Sequence, residues 1–170
     1  MACTVTRQAA LAARDAVTEL LVDRLARAEV VGAVRRGRQQ VPGLELLAIC
    51  SDRAGLKEHL VALSFQEVIH VRELQERCFR FTLSDSGVQV ALHLVDTIQA
   101  WPGMLIKTTG GERTVRRLEQ SGRRNHLRVQ WETSTIFKAR GRGEAAQRYS
   151  SERGMFVALL GRYIRPEERE

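Results

Sequence analysis

The chain has 170 residues, of which 44% are hydrophobic and 28% charged, with three prolines and no low-complexity run. This balance excludes a disordered chain and fits one domain or two small subdomains sharing a core. No stretch approaches the ~18 consecutive apolar residues of a membrane span, and the N-terminus lacks a charged segment followed by an apolar core, so the chain reads as soluble and intracellular, with no membrane partner.

In chain order, residues 5–28 place Leu11, Val17, Leu20, Leu21 and Leu25 at helical spacing among charged residues, which predicts an amphipathic helix. Val30 and Val31 open a strand-like run that breaks at Gly32 and leads into the basic turn Arg35, Arg36, Gly37, Arg38. Residues 44–49, bounded by Pro42-Gly43 and Ser51-Asp52, are short and apolar enough for a buried central strand, and 52–63 reads as a helix capped by Ser51 or Asp52. Residues 65–71, 78–83 and 88–95 are extended candidates. The last two are joined by the hairpin turn Ser84-Asp85-Ser86-Gly87.

Trp101-Pro102-Gly103 opens a new section, and Thr108-Thr109-Gly110-Gly111 precedes an arginine-rich helix over 112–121. Leu127, Val129 and Trp131 alternate as in a half-exposed strand with Trp131 facing inward, and 135–138 is its predicted pair. Gly141 and Gly143 loosen the next connection, and Ser150 or Ser151 caps a last helix to Leu160. The class is α+β, with no internal repeat.

Cys3, Cys50 and Cys78 share no metal-ligand spacing, and His59, His70, His93 and His126 form no close pair, so neither zinc nor a disulfide is expected. The net charge of +7 is unevenly placed. Residues 1–105 hold 12 basic and 12 acidic side chains, whereas 106–170 hold 15 and 8. Most of the excess falls in Arg113, Arg116, Arg117, Arg123, Arg124, Arg128, Lys138, Arg140 and Arg142, which stand among only two acids, Glu119 and Glu132. Such a concentration attracts phosphate backbones through counterion release, making DNA the expected partner, with an acidic protein as the alternative. A GC-rich genome explains arginine over lysine, but not why one half is neutral and the other basic.

The segment Val31-Gly32-Ala33-Val34-Arg35-Arg36-Gly37, followed by Val41-Pro42-Gly43-Leu44-Glu45-Leu46-Leu47, resembles the signature of family X DNA polymerases: Gly-Ser-x-Arg-Arg, a spacer, then Gly-Asp-x-Asp-x-Leu. Three further segments follow in the family's order. Residues 87–95 are similar to the strand carrying the third catalytic aspartate, Trp101 to Gly111 to the run ending in Tyr-Phe-Thr-Gly-Ser, and 150–170 to the closing Leu-Gly-Leu-Pro-Tyr-Ile-Pro-Pro-Glu segment. The resemblance covers roughly residues 28–170. It implies a nucleotidyltransferase palm with a mixed sheet flanked by helices over 1–105 and a small basic thumb over 106–170, without the lyase and fingers domains of larger members.

Two-metal nucleotidyl transfer needs carboxylates that hold two divalent ions ~4 Å apart. The three positions that the resemblance assigns to them read Gly43, Glu45 and Ala91, so Glu45 is the only candidate ligand. His93 shares the strand parity of Ala91 and is expected to face Glu45, but imidazole is a poor magnesium ligand. Asp52, Asp85 and Asp96 lie at element ends, where capping and turn roles explain them.

On the phosphate side, Gly32 and Ala33 keep backbone amides, Arg35 or Arg36 could meet a triphosphate, and Gly110 remains, while the serine hydroxyl is replaced by Ala33 and the stacking aromatics by Lys107 and Thr108. The expectation is a non-catalytic DNA-binding or accessory protein needing no cofactor. The alternatives are an active nucleotidyltransferase with a non-standard Mg²⁺ or Mn²⁺ site, and a structural component reusing the fold.

Overall fold

The computed structural model describes residues 4–140 and 143–170. Its elements, in order, are β1 (Val5–Thr6), α1 (Arg7–Leu20), β2 (Arg27–Val30), α2 (Gly32–Arg35), β3 (Gln40–Val41), β4 (Leu44–Ile49), α3 (Arg53–Phe65), β5 (Ile69–Leu74), β6 (Cys78–Leu83) and β7 (Gln89–Val95), followed by α4 (Trp101–Thr109), α5 (Glu112–Arg124), β8 (Leu127–Gln130), β9 (Thr135–Arg140), β10 (Gly143–Arg148) and α6 (Glu152–Leu160). They form two compact units that divide between Asp96 and Thr97. Residues 97–105 carry no charged side chain, so the partition of charge is the same at this division.

The first unit is built on a five-stranded mixed sheet in the order β2-β4-β7-β6-β5, in which β4 and β7 run parallel and every other pair antiparallel. Strand periodicity sends Leu44, Leu46 and Ala48, Phe79 and Phe81, and Val90, Leu92 and Leu94 into one core, where they meet Ala10, Ala13 and Val17 of α1 and Leu56, Leu60 and Leu63 of α3. Thr6 caps α1 by accepting the Ala9 N–H, and Asp52 caps α3 by accepting the Gly55 N–H.

Two expectations need correction here. The helix over 5–28 ends at Leu20, because the Ala26 N–H donates to the Ile49 carbonyl and residues 27–30 are captured as a strand beside β4. The strand over 65–71 starts only at Ile69: α3 runs on to Phe65, which is 86% exposed, and the chain reverses at Glu67 with φ 59°. By contrast, 44–49 and 78–83 are strands with the expected bounds.

In the second unit, Ile106, Leu118, Trp131, Ile136, Met155, Phe156, Leu159 and Ile164 form a separate core beside the antiparallel sheet β10-β9-β8. Trp131 is buried as expected but lies in a 3₁₀ turn after β8. The connection after β9 continues into a strand, β10, whose residues 144–148 are all exposed and so show no alternation to read. Arg169 is fully buried: it pairs with Glu152 at 2.6 Å, donates to the Ile164 carbonyl and stacks on Phe156.

Candidate functional site

The parallel pairing of β4 and β7 sets Glu45 directly beside Ala91, so two of the three positions that would carry carboxylates are neighbours on the sheet face opposite the helical core. Gly43, one residue before β4, lies against the backbone of Gln89. A Cβ built there would collide with the Gln89 carbonyl oxygen, so any side chain at this position requires the backbone to move. At Ala91 a Cβ is already present, and the residue lines the cleft between its neighbours Glu45 and Arg80.

Glu45 is committed elsewhere. Its carboxylate packs over Gly32, whose φ of +62° and missing Cβ leave the space that the carboxylate occupies. Its Oε2 lies 3.5 Å from Nε2 of His93, an ion-pair distance without hydrogen-bond alignment. His93 in turn stands opposite Cys78 across the β6–β7 ladder. Burial presses the imidazole toward its neutral form, but contacts with Cys78 and Glu45 together outweigh it and raise the His93 pKa to about 9. No group of three or more His, Cys, Asp or Glu converges to hold a metal among the described residues. A single paired carboxylate does not fit two hydrated divalent ions.

Around these positions is an open cleft of about 520 Å³, lined by Gly43, Glu45, Gln89 and Ala91 together with Arg72, Arg80 and Phe81. The two arginines were missed in the sequence, although the hairpin turn at 84–87 already fixes Arg80 as the cross-strand partner of Ala91. Arg72 is the bulged residue of β5, where the register with β6 shifts between Val71 and Glu73.

The candidate phosphate residues are divided between the units. Gly32 and Ala33 begin the one-turn helix α2, Arg35 at its end pairs with Glu29 at 3.5 Å, and Arg36 caps it. Gly110 belongs to the second unit, where it ends α4 by donating its N–H to the Ile106 carbonyl. Lys107 pairs with Glu132 at 2.8 Å.

The basic candidates fall on two elements of the second unit. Helix α5 buries only Thr114, Leu118 and Gly122, a narrow stripe at four-residue spacing, and exposes Arg113, Arg116, Arg117, Arg123 and Arg124. Arg113 pairs with Glu170 and Arg116 with Glu112, whereas Arg117, Arg123 and Arg124 have no ion pair among the described residues. On the sheet, Arg128 lies 4.1 Å above the Phe137 ring and pairs with Glu144, and Lys138 is exposed. Of Arg140 only the backbone at the end of β9 is described, and Arg142 lies outside the described residues. Arg148, Arg153 and Arg162, not singled out from the sequence, are exposed in the same unit.

No protein-family model matches the chain, and no curated protein matches its sequence. Among solved structures, the ternary P/T complex of polymerase beta from Leishmania infantum is similar, with a TM-score of 0.80 over 99% of this chain and 77% of that one, at 13% identity. The fold is thus α+β and polymerase beta-like, with a mixed sheet flanked by helices. No helix of the described residues is long and apolar enough to cross a membrane.

Proposed function

We propose that this chain is a DNA-binding protein on a polymerase beta-like scaffold that does not carry out two-metal nucleotidyl transfer. The first unit corresponds to the palm and the second to the thumb. The observation that carries the reading is the state of the three carboxylate positions. Gly43 has no room for a side chain beside Gln89, Glu45 is paired with His93, and Ala91 has no ligand atom. Loss of activity through Ala91 alone would be reversible by one substitution, but the tight backbone approach at Gly43 means that the strand ends themselves have settled into a form without the carboxylate.

DNA binding is supported by the +7 charge lying wholly in residues 97–170 and by the exposed arginines of α5. Arg117 and Arg124 lie seven residues apart, hence on one face of the helix and ~10 Å apart along its axis, with Arg113 one turn earlier on the same stripe. Each phosphate they neutralise releases counterions, so the affinity falls steeply with salt. Titration of gapped and blunt duplexes against the full chain at several salt concentrations tests this. The expected log–log slope is about −3 or steeper; no binding at low salt, or a flat slope, contradicts the reading.

A further inference from the structure

The cleft beside Gly43 and Ala91 is lined by two arginines as well as by Glu45. Beside Ala91 on the same sheet face stands Arg80, its direct cross-strand partner, and next to it Arg72, thrust out of the ladder by the β5 bulge, a device that re-aims side chains at functional sites. Arg72 donates weakly to the Thr82 hydroxyl at 3.4 Å, and Arg80 shares its charge with Glu73 at 2.6 Å. Glu45, the acid of the cleft, turns its carboxylate over Gly32. The cleft therefore presents two exposed guanidinium forks and the Gln89 side chain beside positions that carry no more than a methyl group. Guanidinium forks match phosphate oxygens in a bidentate geometry.

The geometry points to a phosphate-binding site in this cleft that works without a divalent cation, Arg72 and Arg80 supplying the charge that metals supply in two-metal chemistry. It rests on the reading above only in taking the metal site as lost, and it needs nothing from the second unit. The phosphate belongs either to a free polyphosphate or to a nucleic-acid strand.

The test is backbone amide NMR of the full chain in EDTA, titrated with inorganic tripolyphosphate in one arm and a nine-residue oligothymidylate in the other. Shifts at Arg72, Arg80, Gln89 and Ala91 are expected in at least one arm, which also identifies the source. Arg72→Ala with Arg80→Ala weakens binding read at these amides about tenfold, each bidentate contact being strong. Arg80→Lys, which keeps the charge but not the fork, binds more tightly than Arg80→Ala and more weakly than the parent. Arg14→Ala with Arg24→Ala, which removes equal charge from exposed positions of the same unit, changes it less than about twofold. Shifts confined to residues 112–128, or equal losses in both double variants, overturn the inference. A site that binds only when Mg²⁺ is added overturns it too, and would in addition contradict the loss of the metal site, whereas silence in both arms leaves that loss standing.

Discussion

Single side chains account for the difference between a metal site and the cleft seen here. Restoring the acids by Gly43→Asp and Ala91→Asp should not restore metal binding, because the new Cβ at 43 is driven into the Gln89 carbonyl, at a cost of about 1–3 kcal/mol of stability. Ala91→Asp alone adds its carboxylate at the cleft lining beside Arg80 and should melt near the parent. Thermal melts with and without Mn²⁺ check both: a Gly43→Asp protein that melts like the parent, or a double variant that Mn²⁺ stabilises, would show that the strand ends adapt freely.

His93 gives a second handle. Its pKa is about 9 in the folded chain against about 6.5 when unfolded, so the folded state holds its proton more tightly. The resulting stabilisation is complete below about pH 6.5 and disappears as pH rises through about 9. The melting temperature should therefore drop between these values, and His93→Gln should flatten that drop. An equal drop in both proteins would mean that the imidazole is not held charged by Glu45 and Cys78.

At the scale of elements, what the sequence made legible followed from local rules. Residues 44–49 and 78–83 carry the apolar runs of buried strands, so their bounds could be read directly, and of the paired cap candidates Ser51 or Asp52 and Ser150 or Ser151 the structure selects Asp52 and Ser151. The facing of Glu45 and His93 also followed from parity once β4 and β7 were taken as neighbours. Where reading failed, long-range pairing had overruled a local pattern. Leu21 and Leu25 continue the helical spacing of α1, yet the chain turns because β4 offers a partner to 27–30. Strand β10 is exposed along 144–148 and exists through its pairing with β9. The two arginines of the cleft escaped the sequence reading because Arg72 owes its position to a bulge, which leaves no sequence signature, and because Arg80 becomes the neighbour of Ala91 only when the register is carried across the hairpin.

The arginine stripe of α5 was legible as charge but not as geometry, since only the structure separates paired Arg113 and Arg116 from Arg117, Arg123 and Arg124. Arg117→Ala with Arg124→Ala should make the salt slope of duplex binding shallower by about 2 without changing the melting temperature, as both side chains are exposed. An unchanged slope would move the DNA contact off this helix.

For the whole molecule, a neutral unit whose cleft is lined by a single carboxylate, Glu45, is joined to a basic unit with its own core. Fold similarity at 13% identity carries the scaffold, and function is argued from what the cleft and the basic helix contain. The two units divide the proposed labour: charge for holding DNA in one, and in the other a face from which the metal chemistry has gone. The most direct measurement is a single-turnover primer-extension assay on pre-bound primer-template with all four deoxynucleoside triphosphates and either Mg²⁺ or Mn²⁺. The prediction is a DNA complex that forms and leaves the primer unextended with both metals. Extension that disappears in Glu45→Ala would contradict it.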